Sequence, residues 1–158
     1  MATLSTKEYT ANPEAPAFNM GANVKKVYGS YAKTAALPAN NDLLILARNL
    51  PLSAVIHKIN LTHGAIAGFT DADIVLLDSD GKVIKNSSNA VVYLAEALSF
   101  ANARANVNVL SALQKSLKAL IGYGGDKLAP SVSIALLVNT AGSNTGTISY
   151  DIEYSTPF

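Results

Sequence analysis

The segment Thr147-Ile148-Ser149-Tyr150-Asp151-Ile152-Glu153-Tyr154 decides the fold class. Ile148, Tyr150, Ile152 and Tyr154 fall on one side of an extended chain, and Thr147, Ser149, Asp151 and Glu153 on the other. That period of two is what a strand with one buried face requires. Just upstream lies the turn cluster Asn139-Thr140-Ala141-Gly142-Ser143-Asn144. Before it, Val132, Ile134, Leu136 and Val138 alternate with Ser131, Ser133, Ala135 and Leu137, a second strand of the same kind.

The rest of the chain divides in the same manner. From Val24, a β-rich run interleaves Val24, Lys26, Tyr28 and Ser30 with Lys25, Val27, Gly29 and Tyr31, and it ends before Ala35-Ala36-Leu37-Pro38. The continuous apolar run Leu43-Leu44-Ile45-Leu46-Ala47 lies between Asn40-Asn41-Asp42 and Arg48-Asn49-Leu50-Pro51, and suits a strand buried on both faces. Val55, His57, Ile59 and Leu61 are expected to share one face of the next strand, which closes at Thr62-His63-Gly64. Asp73 to Leu77 forms another apolar strand; Asp78-Ser79-Asp80-Gly81 supplies turn residues that tolerate positive φ, and Lys82-Val83-Ile84 pairs back as a hairpin.

One segment reads as helical. Val109, Leu110, Leu113, Leu117, Leu120 and Ile121 form a stripe opposite Ser111, Gln114, Lys115 and Lys118, with Asn108 or Asn106 as a cap and Gly122 as a stop. The spacing predicts a helix over residues 108–121. Residues 90–101, AVVYLAEALSFA, fit helix or strand equally. Residues 1–22 carry Pro13 and Pro16 and no sustained period, so they read as an extended N-terminal arm ahead of a single β-rich domain over residues 23–158. The expected fold is mainly β: a β-sandwich or jelly-roll-like domain with one packed α-helix and that arm.

A chain of 158 residues is long enough for one core without staples. Charged residues make up only 15%, against roughly 25% in an average domain, so much of the surface is neutral. Such a surface suits contact with neighbouring subunits, and it also fits an ordinary stable monomer. The net charge of +1, with Lys25-Lys26 as the one basic doublet, argues against nucleic acid as a partner. With no cysteine there is neither a disulfide framework nor a thiolate metal site. The first residues lack the basic start and apolar stretch of a secretory signal, and no run approaches the 18 or so apolar residues of a membrane span, so no membrane partner is expected.

Candidate chemistry is sparse. His57 and His63 would need a carboxylate such as Asp71 or Asp73 to hold a metal. Asp78-Ser79-Asp80-Gly81 opens like a calcium loop, but Lys82 stands where a third oxygen ligand is needed. Asp71, Asp73, Asp78 and Asp80 surround one strand and its turns, which explains them without acid/base catalysis. Gly122-Tyr123-Gly124-Gly125 follows a helix where a phosphate loop would precede one. No nucleophile-elbow, metalloprotease or P-loop motif is present, so the reading is a non-enzymatic protein without a cofactor. Seven tyrosines and no tryptophan leave a sugar-binding sandwich possible without favouring it.

Four stretches carry a resemblance to known proteins. They are residues 31–42 (YAKTAALPANND), 50–56 (LPLSAVI), 70–78 (TDADIVLLD) and 139–148 (NTAGSNTGTI), which together span most of residues 30 to 154. In these the chain resembles small virion proteins of tailed bacteriophages encoded near the major capsid protein: head decoration, cement or structural proteins. The resemblance implies a β-rich virion protein on the capsid exterior, made in the host cytoplasm, a homotrimer whose partner is the major capsid protein. A cement protein bridges capsomers, which a stiff domain with a reaching arm can do. On that reading Leu4, Tyr9, Phe18 and Met20 of the arm are the candidate capsid or subunit contacts. The alternative is a carbohydrate- or receptor-binding β-sandwich module, such as a tail or surface adhesin.

Overall fold

The computed structural model describes residues 3–5, 7–9, 23–112, 114–122 and 131–156. The strands, in chain order, are β1 (Thr3–Ser5), β2 (Lys7–Tyr9), β3 (Asn23–Lys33), β4 (Leu43–Pro51), β5 (Val55–His63), β6 (Asp71–Leu77), β7 (Tyr93–Leu98), β8 (Arg104–Asn108), β9 (Ser131–Thr140) and β10 (Gly146–Thr156); one short helix, α1 (Leu117–Ile121), precedes β9. They form two sheets, of order β1-β4-β9-β6-β7 and β2-β3-β10-β5-β8. In each sheet the four longer strands are antiparallel neighbours.

The chain crosses between the sheets repeatedly. With β1 and β2 set aside, β3, β5, β8 and β10 form one sheet and β4, β6, β7 and β9 the other. This is the connectivity of a jelly roll, two Greek keys folded over one core. The mainly β, sandwich or jelly-roll-like expectation therefore holds.

The two strands with the cleanest alternation sit at the centre of the two sheets. β10 lies between β3 and β5, and β9 between β4 and β6. Ile148, Tyr150 and Ile152 face Val132, Ile134, Leu136 and Val138 within one core, all of them buried. Fully burying a side chain of this size contributes roughly 1.5–3 kcal/mol, so the central strands anchor the sandwich. Leu43 to Ala47 are all buried, as a two-faced strand demands. Leu44 and Leu46 belong to the main core, while Leu43 and Ile45 join Val75, Leu77 and Ala135 in a smaller apolar cluster flanked by Val83, Val91, Tyr93 and Leu137.

Three local readings are settled or corrected by the structure. The helix expected over residues 108–121 is only Leu117–Ile121. Asn108 does not cap a helix: its side chain accepts from the backbone N–H of Ile59 and of Leu110, ending β8 in a turn. Beyond it the chain crosses the end of the sandwich, where Val109 donates to Ile59, Ser111 to Leu94, and Leu117 to Ala54. Ser116 is the cap, accepting from Ala119 N–H, and Gly122 at φ 74° closes the helix as expected. Leu113 lies outside the described residues. The ambiguous stretch 90–101 contains a strand, β7.

On β5 the buried residues are Ile56, Ile59, Leu61 and His63, while Val55 and His57 are half-buried. The register with β10 jumps from Lys58 to Ile56, so His57 is the extra residue of a bulge that reverses the alternation. The Asp78–Gly81 turn forms as expected. Val83 pairs with Leu77, and a second turn at Asn86 brings Val91 back to Lys85.

Candidate functional site

Residues 3–5 and 7–9 pair with the margins of the two sheets. Thr3, Leu4 and Ser5 pair in parallel with Leu43, Leu44 and Ile45 of β4. Lys7, Glu8 and Tyr9 pair antiparallel with Ser30, Gly29 and Tyr28 of β3. Within seven residues the chain thus leaves the margin of one sheet and joins the margin of the other. Unpaired strand margins are templates for further strands, and here the chain's own N-terminal segment occupies part of both. Of the four proposed contact residues, Leu4 and Tyr9 are register positions in β1 and β2, while Phe18 and Met20 lie outside the described residues.

A second feature lies on the outer face of the β3-β10-β5 sheet. Tyr28, Ser30, Asn60, Thr62, Ser149 and Asp151 line a shallow trough of about 380 Å³ whose floor is the backbone at Gly29 and Tyr150. These residues stand opposite one another in the ladder: Tyr28, Asp151 and Asn60 form one row, and Ser30, Ser149 and Thr62 the next. Asn60 donates from Nδ2 to Asp151 Oδ1 at 2.8 Å. Lys26 Nζ lies 3.0 Å from Glu153 and 4.0 Å from Asp151, and 5.3 Å from the Tyr28 ring centroid. The hydrogen bond to Glu153 raises the Lys26 pKa above its ordinary value, against a smaller opposing effect of burial. Such half-exposed ion pairs contribute little to stability. They do order the rim of a surface rich in donors and acceptors.

Other polar groups named from the sequence hold backbone in place. His57 Nε2 is 2.7 Å from Ser155 Oγ. His63 is buried and packs against Phe100, with ring centroids 4.6 Å apart and the planes tilted by 46°. Its Nδ1 donates to the Gly64 carbonyl at 2.8 Å, leaving Nε2 buried without a hydrogen bond. Asp73 accepts from Ala97 N–H and from Asn139 Nδ2. Asp78 Oδ1 accepts from the backbone of Asp80 and Lys82, the usual work of a turn aspartate. Among the described residues no group of three or more His, Asp or Glu is placed to hold a metal ion. Gly122 caps α1, and Tyr123, Gly124 and Gly125 lie outside the described residues.

Sequence reasoning did not single out Lys33, which is 2% exposed and forms no ion pair among the described residues. Its ammonium donates to the carbonyls of Thr34, Gly142 and Asn144 at 3.1, 3.1 and 2.9 Å, fastening the β9–β10 turn to the end of β3. Burial lowers its pKa. The trough was missed as well. Ser149 and Asp151 were placed on the outward phase of β10, but their neighbours on β3 and β5 depend on register, which one strand's alternation does not reveal.

No protein-family model and no curated protein matches the chain. Among solved structures, the chain is similar to one in the cyanophage Pam1 capsid asymmetric unit, with 23% sequence identity and a TM-score of 0.50. The alignment covers 93% of this chain and 94% of that one, so the two share a fold over nearly their whole lengths and are of similar size.

Proposed function

We propose that this chain is a non-enzymatic structural protein of a tailed-phage head, a cement or decoration protein. It binds the major capsid protein on the outside of the shell as a homotrimer and stabilises the shell by bridging capsomers. The observation that carries this reading is the full-length similarity in fold and size to a chain of the Pam1 capsid asymmetric unit. The molecule's own features agree with it. A two-sheet core gives a stiff body, and the polar groups described above fasten turns and strands. The low charge leaves a surface suited to broad, neutral contacts. On a shell, many identical sites turn weak single contacts into firm attachment.

A second reading, a carbohydrate- or receptor-binding module, is favoured by the trough alone. Hydroxyl, amide and carboxylate groups beside the Tyr28 ring are the kind of surface that takes a polar ligand. One experiment separates the two. Purified protein is added to undecorated phage shells, and to immobilised glycans in parallel, and bound copies are counted by imaging and by label. Regular occupancy on the shells supports the cement reading; glycan binding with bare shells replaces it with the second.

A further inference from the structure

We propose that Asp73 and Thr62 pin matching bulges in the edge strands β7 and β8, and that these pins keep that margin of the sandwich from adding strands of a second copy of this chain. The argument rests on register and hydrogen bonds at one margin and is independent of the capsid reading.

The two edges are built alike. Among the described residues β7 and β8 are each the last strand of a sheet, and residues 99–103 join one directly to the other. Ala72 pairs with Leu98 and Ile74 with Ala95, so Glu96 and Ala97 both stand opposite Asp73. In the other sheet Leu61 pairs with Val107 and His63 with Arg104, so Ala105 and Asn106 both stand opposite Thr62. Two residues against one is a bulge. In each bulge the second residue has left-handed backbone, with φ 52° at Ala97 and φ 51° at Asn106. An alanine does not adopt that conformation by preference, so its surroundings impose it. They act through one bond of the same kind in both places: Ala97 N–H donates to Asp73 Oδ1 at 2.9 Å, and Asn106 N–H donates to Thr62 Oγ1 at 2.8 Å. Asp73 is itself held, because its Oδ2 accepts from Asn139 Nδ2 at 2.8 Å.

The bulges stand where the margin is open. Glu96, Ala97, Ala105, Asn106 and Val107 are exposed, whereas further along β7 the Leu94 carbonyl already accepts from the N–H groups of Ser111 and Ala112. A straight exposed edge offers evenly spaced N–H and C=O groups to any incoming strand, and the same edge of an identical copy is the partner always at hand. A bulge breaks that spacing and bends the strand. Turning the Ala97 and Asn106 amides onto side chains of the inner strands also withdraws two donors. With both edges of one margin closed by the same device, copies of the chain can crowd together without merging their sheets there.

The test removes the pins and keeps the strands. Thr62→Val deletes one acceptor oxygen at an exposed position with little change of shape, and Asp73→Ala deletes the other. Thr62→Ser and Asp73→Asn each keep an acceptor oxygen in place. The full-length parent, these four variants and the Thr62→Val/Asp73→Ala double variant are compared by sedimentation over about a hundredfold range of concentration. Variants without a pin are expected to keep the parent's far-UV spectrum and to form species larger than the parent's. While it is small, the fraction in those species should grow about tenfold for each tenfold rise in concentration, as pairing of copies requires. Thr62→Ser and Asp73→Asn should keep the parent's state, and adding Val107→Lys to Thr62→Val should restore it, because a charge on the β8 edge opposes strand addition. In the parent, the Ala97 and Asn106 amides should exchange with solvent at least about tenfold more slowly than open-chain amides. Should Asp73→Ala fail to fold, Thr62→Val carries the test by itself. The parent's state in folded Thr62→Val at every concentration overturns the proposal, as does association that Thr62→Ser shares or that Val107→Lys leaves in place. Open-chain exchange at both amides of the parent overturns it too, because the pins would then not hold.

Discussion

The hydroxyl of Tyr150 donates to the carbonyl of Leu46 at 2.6 Å, tying β10 to β4 across the sandwich. Leu46 is the extra residue where the β4–β9 register shifts between Ile45 and Ala47, so the bulge aims its carbonyl at the opposite sheet. Gly29, opposite Tyr150 on β3, makes room: a Cβ there would overlap the tyrosine ring and hydroxyl. A glycine inside a strand often marks such a close approach.

Tyr150→Phe is therefore expected to cost about 0.5–1.5 kcal/mol, because it removes a buried hydrogen bond between the sheets. Gly29→Ala should cost more, since ring or backbone must shift. The two changes should not be additive, and Gly29→Ala should be much milder in a Tyr150→Ala background. Urea unfolding of the parent, Gly29→Ala, Tyr150→Ala and their double variant measures this coupling; full additivity would mean that Gly29 does not serve Tyr150.

Lys33 predicts a pH dependence. Its folded pKa is lowered by burial from the ordinary value of 10.5. Between the two values the unfolded chain binds more protons than the folded one, so stability rises with pH across that window. Lys26 acts with the opposite sign: its folded pKa is raised, so its contribution is present below 10.5 and is lost as pH climbs through the folded value. Comparison with Lys33→Met isolates the first effect. The stability of the parent relative to the variant should increase as the medium is made alkaline toward pH 10.5, and a flat difference would contradict the assignment.

Much of this architecture was legible in the sequence. The alternation at Ile148–Tyr154 and at Val132–Val138 marked the central strand of each sheet, and the unbroken run Leu43–Ala47 marked a strand buried on both sides. The helix over 108–121 misled because its apolar residues recur at helical spacing. A segment lying across the end of a sandwich buries side chains at that same spacing without being helical, and hydrogen bonds to Ile59, Leu94 and Ala54 replace those of a helix. The bulge at His57 left no mark in the pattern, so Val55 and His57 were assigned to the wrong face. The pairing of residues 3–5 and 7–9 depends on margins that exist only after the sandwich has formed, which a single strand's pattern does not reveal.

Leu117→Asp should unfold or severely destabilise the domain. The side chain is fully buried in the main core, and an unpaired carboxylate there costs several kcal/mol. Ser116→Ala removes one cap bond and should cost only about 1 kcal/mol. Melting curves would test the ranking. Similar losses from both would place α1 outside the core.

Chelators should leave the melting temperature unchanged, and added calcium likewise. Asp78 Oδ1 is already occupied by two backbone donors, and Lys82 stands at the next ligand position of the turn. A fall in melting temperature with EDTA that calcium restores would reverse this reading.

The central claim is tested most directly by the temperature at which undecorated phage shells rupture, measured with and without saturating full-length protein and with a form lacking residues 2–21. Full-length protein is predicted to raise the rupture temperature clearly and the shortened form to raise it less, because the strands that reach the sheet margins, and the residues that follow them, are gone. An unchanged rupture temperature at concentrations where the protein is folded would contradict the account.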